Sequence, residues 1–286
     1  MGDPAAAPVG IATVVDLLAC PNCRKPLALG EDGRGVRCER GHRFDLARQG
    51  YLNLSGGPQP ANADTASMVA ARERFLARGG LDPVRDAVLR LVGDAPGLRV
   101  LDAGAGTGRL LAAVLSASPG RRGVAVDVST AAARRAARAH PALGAVVADV
   151  WHRLPLADRT FDVVLSNFAP RNPPEFARVL VAGGRLVTVT PTTSHLSELR
   201  TTYGLLGIEP AKADRLLETL GAWMVPEITE RVERRSRWST ETVQDAIAMG
   251  PNAFHDAAGR PAAAPADVTI SVDLRSWRLP DSGRLP

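Results

Sequence analysis

From Leu98 to Thr190 the chain alternates apolar runs of strand pattern with runs of helical character, and few folds accommodate that order. RVLDA, GVAVDVS, GAVVADV, FDVVLSNF and GRLVTVT read as buried strands, and GRLLAAVLSAS, TAAARRAARAH and PPEFARVLVA read as the helices between them. Strand, helix, strand in repetition builds an α/β fold with a mostly parallel sheet, because parallel neighbours need a crossover long enough to hold a helix. The ending departs from that rhythm. A helical stretch near 208–221 precedes TERVERRSRWS, then ETVQDAIAMG, then DVTISVDLRSW, so two late strands flank a helix. Upstream, MVAARERFLARGGLDPVRDAVLRLV predicts two helices broken at Gly79 and Gly80. No internal repeat is present.

The first strand runs straight into a glycine loop: Val100-Leu101-Asp102-Ala103-Gly104-Ala105-Gly106-Thr107-Gly108. Glycines at a strand-to-helix turn let a ligand approach the backbone. The dinucleotide pattern G-x-G-x-x-G is not met, since Arg109 stands where its third glycine belongs and an acid precedes the loop. Two further acids, Asp127 and Asp149, end the second and third strands, at the rim where open α/β sheets bind ligands. One carboxylate can hold two ribose hydroxyls, another can accept from an adenine amino group, and close-packed glycines admit a methionine tail. Together these needs describe S-adenosylmethionine. Each acid also has a plainer reading: Asp102 as a hydrogen-bond partner of its own loop, Asp127 as a cap for the helix near Thr130, Asp149 as a simple strand end.

Cys20, Cys23 and Cys38 are the chain's three cysteines, too few for a disulfide scaffold. Cys20-Pro21-Asn22-Cys23 and Cys38-Glu39-Arg40-Gly41-His42 each set two ligands on a short turn, with fourteen residues between the pairs. Three thiolates and an imidazole suit tetrahedral Zn2+, and a site whose four positions are all filled by protein is structural. A redox Cys-x2-Cys would leave Cys38 and His42 unexplained. So small a module, poor in large apolar groups, needs the metal to fold. SGGPQPANADTAS at 55–67 then reads as a linker, which divides the chain into 1–54, a linker and helical lead-in over 55–97, and 98–286.

At 286 residues with 45% hydrophobic and 23% charged content, the chain is of ordinary globular make-up, which excludes a fibrous or largely disordered protein. No apolar run approaches the roughly 18 residues of a membrane span. The start, MGDPAAAPVGIATVV, lacks the basic region of a secretory signal, so the expected place is the cytoplasm, with no membrane partner. The net charge is +5, and residues 98–190 carry twelve basic groups against six acidic ones. An anionic partner is expected to meet that segment, although a GC-rich genome also writes arginine freely.

Joined, the two halves resemble the large-subunit rRNA guanine-N1 methyltransferase family. The resemblance rests on Cys-Pro-x-Cys, Cys-x3-His, Phe44-Asp45 and Gln49-Gly50-Tyr51-Leu52-Asn53-Leu54, ahead of the acid-then-glycines motif of class I methyltransferases. Ala70-Ala71-Arg72, Asn167-Phe168-Ala169-Pro170, Gly183-Gly184, Thr190-Pro191, His195-Leu196 and Glu198-Leu199 extend it over nearly the whole chain. AVVADVW at 145–151 and NFAPRNPPE are similar to the actinomycete branch that confers macrolide resistance.

The resemblance implies a Rossmann-like, seven-stranded class I fold with an N-terminal zinc-binding, RNA-recognising module. It implies S-adenosylmethionine as methyl donor and a guanine N1 in a hairpin loop of 23S rRNA as target, with macrolide resistance as the outcome. Zinc ligands carry over onto Cys20, Cys23, Cys38 and His42, and cofactor contacts onto Gly106, Thr107 and His195. A further contact falls on Leu81, where relatives can carry an aromatic residue. Asp149 and Asn167 are the candidates for touching the base edge, and no general base is assigned. Arg24, Lys25, Arg37, Arg40 and Arg43 make the module either the RNA reader or a solvated basic face. A homodimer is compatible with all of this. Three rival readings stand beside it: a natural-product methyltransferase with the knuckle as scaffold, a housekeeping rRNA enzyme, and a non-catalytic nucleic-acid-binding zinc protein.

Overall fold

The structure, a computed structural model, describes residues 9–208, 217–250, 253 and 261–281. The cysteine-bearing segment forms a small antiparallel sheet of β1 (Leu27–Leu29), β2 (Gly35–Cys38) and β3 (Arg43–Asp45). A second sheet contains β4 (Tyr51–Asn53), β5 (Arg99–Ala103), β6 (Arg122–Asp127), β7 (Leu143–Val147), β8 (Phe161–Asn167), β9 (Leu180–Pro191), β10 (Val225–Trp238) and β11 (Ala266–Arg278). Its order is β10-β11-β9-β8-β5-β6-β7-β4. The pairs from β4 to β9 are parallel, and β11 lies antiparallel between β9 and β10. The seven expected strands are therefore present. An eighth comes from the cysteine-bearing segment, where Tyr51, Leu52 and Asn53 pair with Ala145, Val146 and Val147.

Alternation along each strand sends side chains to two different cores. One face, with Val100, Leu165 and Val187, is covered by α2 (Ala66–Ala77), α3 (Asp82–Val92), α4 (Arg109–Ser116), α5 (Thr130–Ala136), α7 (Ser197–Tyr203) and α8 (Thr240–Ala248). The other face, with Leu101, Val124 and Leu186, is covered by α6 (Pro173–Val179) and by Leu17, Leu18, Leu27 and Val36 of the N-terminal segment. The module thus occupies part of a layer that helices would otherwise fill. The short α1 (Val9–Ala12) sits so close that a Cβ on Gly10 would lie 2.2 Å from the Leu143 carbonyl oxygen.

The lead-in helices break where expected, at 78–81, between α2 and α3. Thr65 caps α2 by accepting from the Met68 N–H at 3.3 Å. Its other end is tied to α8, where the buried Asp245 carboxylate accepts from Arg74 at 2.6 Å and from Arg78. The helix expected near 208–221 is seen at 217–221, with Leu220 and Met224 buried on the second face, while 209–216 lie outside the described residues. No described helix is long and apolar enough to cross a membrane.

Half of the twelve arginines of 98–190 are engaged within the fold by the following contacts. Arg99 pairs with Asp162, Arg122 with Asp16, Arg135 with Glu73, Arg178 with Glu175, and Arg185 with Glu227. Arg121 is buried and donates to the carbonyls of Gly93, Ala95 and Val114. Arg109, Arg134, Arg138 and Arg159 remain exposed outside these pairs.

Candidate metal and cofactor sites

Each knuckle is built by backbone hydrogen bonds. In the first, the Cys20 N–H donates to the Lys25 carbonyl at 2.9 Å and the Arg24 N–H to the Cys20 carbonyl at 2.8 Å, with Arg24 left-handed at φ 65°. In the second, the Cys38 N–H donates to the His42 carbonyl at 3.0 Å and Gly41 takes φ 83°. The four ligand atoms lie within 4.8 Å of one another. His42 Nδ1 is 3.5 Å from Cys20 Sγ and 3.4 Å from Cys38 Sγ, and Cys23 Sγ is 3.6 Å from Cys38 Sγ. Tetrahedral Zn2+ with ordinary bond lengths sets such ligands about 3.6–3.8 Å apart, so the cluster fits the ion.

The glycine loop joins β5 to α4. Gly104, Gly106 and Gly108 take φ of 82°, 55° and 72°, which a side-chain-bearing residue adopts only at a cost. Close neighbours add to this: a Cβ on Gly104 would lie 2.4 Å from the Ala169 Cβ, and one on Gly108 2.9 Å from the Ala136 Cβ. The Asn167–Pro170 segment therefore rests on the loop. Thr107 is buried within it.

Asp127, at the end of β6, accepts from the Gly106 N–H and the Ser129 N–H, both at 2.8 Å. The cap of α5 is Ser129, which accepts from the Ala132 N–H at 3.2 Å, so Asp127 braces the glycine loop rather than the helix. Burial raises its pKa, and the two backbone bonds oppose that rise. Asp102 is buried and, among the described residues, makes no side-chain hydrogen bond with its own loop. Burial, then the nearby Asp127, pushes its pKa to about 7. Two adjacent desolvated carboxyls favour a ligand with positive charge. Asp149 differs from both. Its oxygens are taken by its own turn, from the Trp151 N–H at 2.9 Å and His152 Nδ1 at 3.1 Å.

Beyond β9, His195 Nδ1 accepts from the Ser271 N–H at 3.2 Å, which leaves Nε2 to carry the proton. Burial, then Arg200, lowers its pKa to about 4, so the ring is neutral near pH 7. It lies 5.7 Å from the Phe168 ring, tilted by 31°. Phe168 and Leu196 are left-handed at φ 53° and 54°, strain concentrated at this rim. Beside them, both polar atoms of the Asn167 side chain are buried and without a partner. An amide that forgoes every hydrogen bond in the protein is free for a ligand.

The structure therefore joins the glycine loop, Asp127 and the Asn167–Pro170 segment by contact, and Phe168 connects that segment to His195. Leu81 stands at the start of α3, packed against the first core, and no hydrogen bond or ring contact ties it to the loop. One neighbour of the loop escaped the sequence reading. Arg72 Nη1 lies 3.2 Å from the position a Gly106 Cβ would take, and the guanidinium is held by Asp64 and by the Met249 carbonyl at 2.9 Å. Its only signal in sequence was its place in Ala70-Ala71-Arg72. A cavity of about 520 Å³ near Arg159, Ala177 and Trp223 includes none of these residues.

Comparison with known proteins covers both parts of the chain. Residues 18–55 match the RlmA N-terminal zinc-ribbon family, and residues 100–187 match the methyltransferase domain family. The YcgJ protein of Bacillus subtilis shares the fold, with a TM-score of 0.50 at 14% identity, covering 68% of this chain and 97% of that one. A Micromonospora griseorubida protein named for 23S rRNA (guanine-N(1)-)-methyltransferase is 46% identical, covering 91% of this chain and 97% of its own. The 23S rRNA (guanine(748)-N(1))-methyltransferase of Streptomyces fradiae is 42% identical, covering 93% and 98%. With S-adenosylmethionine as its cofactor and one structural zinc, the chain belongs, over nearly its full length, to the 23S rRNA (guanine-N(1)-)-methyltransferase family.

Proposed function

We propose that this chain methylates N1 of a guanine in a hairpin loop of 23S rRNA, in the cytoplasm, and that the modification confers macrolide resistance. The observation that carries the reading is likeness to the Streptomyces fradiae enzyme across both the zinc ribbon and the methyltransferase domain. The S-adenosylmethionine sulfonium supplies an activated methyl group. Gly104, Gly106, Thr107 and Gly108 admit the methionine part by close backbone approach, with Arg72 at hand for its carboxylate. Asp127 accepts the ribose hydroxyls in exchange for part of its bonding to the loop, and a cationic ligand favours the ionised form of Asp102, whose carboxyl burial otherwise holds partly protonated near neutral pH. Asp149 and Leu81 border the adenine end.

Attack by N1 requires its proton to leave, and the charge released spreads onto O6 of the base. Asn167 Nδ2 can donate to that oxygen, and so can His195 through Nε2–H, because burial keeps the imidazole neutral. Donors fixed before the reaction stabilise developing charge at low reorganisation cost. Asp149 is the weaker candidate at the base edge, since its turn already occupies both oxygens. A loop nucleotide can be swung into the pocket more cheaply than a paired one.

In the ribbon, Lys25 pairs with Glu39, Arg37 with Glu31 and Arg43 with Asp32, which leaves Arg24, Arg34, Arg40 and Arg48 exposed and outside these pairs, with Arg24 and Arg40 beside the metal ligands and so best placed to meet phosphate there. Primer extension on 23S rRNA from expressing cells should show a new stop, absent with Gly106→Val, together with a raised macrolide tolerance. A stop without tolerance would retain the rRNA activity and remove the resistance role.

A further inference from the structure

Trp151 is 65% exposed, the most exposed large apolar side chain among the described residues. Its exposure is not that of a loose loop. The Trp151 N–H donates to Asp149 Oδ1 at 2.9 Å, and the His152 N–H to the Asp149 carbonyl at 3.1 Å. Asn172 Nδ2 donates to the carbonyls of Val150 and His152, at 3.0 and 3.3 Å. Val150 on one side and Leu154 on the other are buried. The fold thus anchors both ends of the turn in the core and holds a flat indole out in water.

The turn also sits between the parts that must meet a nucleic acid. Asp149 begins it, at the ligand-binding rim of the sheet. Asn172, which clamps it, follows directly on the Asn167–Pro170 segment. On its far side the zinc ribbon is attached: the Ala19 N–H donates to the Pro155 carbonyl and the Ala157 N–H to the Leu17 carbonyl, both at 3.0 Å. We propose that the Trp151 indole stacks on an unpaired RNA base adjacent to the guanine that enters the methylation site. A rigid aromatic face gains stacking energy without ordering a flexible side chain, and it suits single-stranded loops whose bases are splayed.

The immediate surroundings favour a base over a protein partner. The side chains that follow it in the turn are polar and exposed, His152 at 79% and Arg153 at 41%, which suits a nucleotide better than the apolar core of a protein interface. This inference rests on the RNA reading above, and its test separates the two. With zinc-loaded full-length protein and a 23S rRNA transcript, Trp151→Ala should weaken RNA binding and raise KM for RNA roughly 10-fold or more. Its kcat and S-adenosylmethionine affinity should remain within about twofold, and Trp151→Phe should restore most of the loss. The salt dependence of binding should keep its slope, because stacking releases no phosphate counterions. Indole fluorescence should be quenched by RNA in the wild type and much less so in Trp151→Phe.

Equal RNA affinity in wild type and Trp151→Ala would overturn the proposal. So would a dimer in sedimentation that Trp151→Ala dissolves, which would make the indole a contact between copies of the chain. Absence of RNA binding and methylation in the wild type itself would remove the RNA reading and this inference with it.

Discussion

The ribbon and the large sheet reach a fixed structure by different physics. Strands β5 to β9 carry continuous apolar runs that are buried on both faces, by helices on one and by α6 with the N-terminal segment on the other, so burial of apolar surface accounts for their order. The ribbon has three short strands with only Leu27 and Val36 buried as large apolar groups along them, and its centre is Cys20, Cys23, Cys38 and His42. What the ribbon lacks in core it makes up in two ways: by ligation, and by lending β4 and its apolar face to the larger domain. The lesson is that a small metal module can be a structural layer of its neighbour.

Removing the metal is the strongest way to break this contrast. Structural zinc supplies on the order of 10 kcal/mol to such a module. Cys23→Ser or chelation should unfold residues 18–55, release one zinc per chain and expose the β7 edge, while β5 to β9 keep slow hydrogen exchange. Freshly purified protein without zinc, or a ribbon that stays protected after chelation, would contradict the account.

A second test sharpens the burial side. Asp102 has its pKa raised from 3.8 to about 7, so the folded state binds its proton more tightly than the unfolded chain does. Its contribution is full below about pH 4 and is lost as pH rises through about 7, a difference on the order of 4 kcal/mol. Asp102→Asn should therefore gain stability over the wild type between pH 5 and pH 8 in urea melts. His195, whose pKa is lowered to about 4, loses stability as pH falls from about 6.5, in both proteins alike, so the comparison cancels it. Parallel pH profiles would refute the burial of a strained carboxyl.

Asp127→Ala removes the acceptor of two backbone N–H groups and should cost roughly 1.5–3 kcal/mol, seen as weaker S-adenosylmethionine binding by calorimetry. The smallest effect is expected at the ribbon surface. Arg24→Glu with Arg40→Glu should weaken binding of 23S rRNA severalfold, shrinking at high salt, and Arg37→Glu less, because Arg37 already pairs with Glu31. An unchanged RNA affinity would leave the ribbon as scaffold alone.

The ribbon ligands and the strand-to-glycine turn were legible in sequence because their chemistry lies within a few residues. Cys20 to Cys23 and Cys38 to His42 are each one turn, and Asp102 to Gly108 is one loop. What depended on distant pairing was not. Tyr51–Asn53 joins β7 across some ninety residues with no local mark of it, and Arg72 reaches Gly106 only because α2 packs over the loop. Nor does the arginine surplus of 98–190 say which of its members are free: Arg99, Arg122, Arg135 and Arg185 pair with acids far away in sequence, while Arg109, Arg134, Arg138 and Arg159 stay exposed. Asp149 was legible as a strand end at the rim, but not that each of its oxygens also accepts a hydrogen bond from its own turn.

The central claim is that a ribbon fused into one face of the sheet and a cofactor site at its rim together make a guanine-N1 methyltransferase of 23S rRNA. Its most direct test incubates zinc-loaded wild-type protein with unmodified 23S rRNA transcript and S-adenosylmethionine, then measures methylated nucleosides by mass spectrometry. The account predicts close to one 1-methylguanosine per transcript, abolished by Gly106→Val and strongly reduced by Asn167→Ala. A different methylated nucleoside, or none in the presence of bound cofactor and intact zinc, would contradict it.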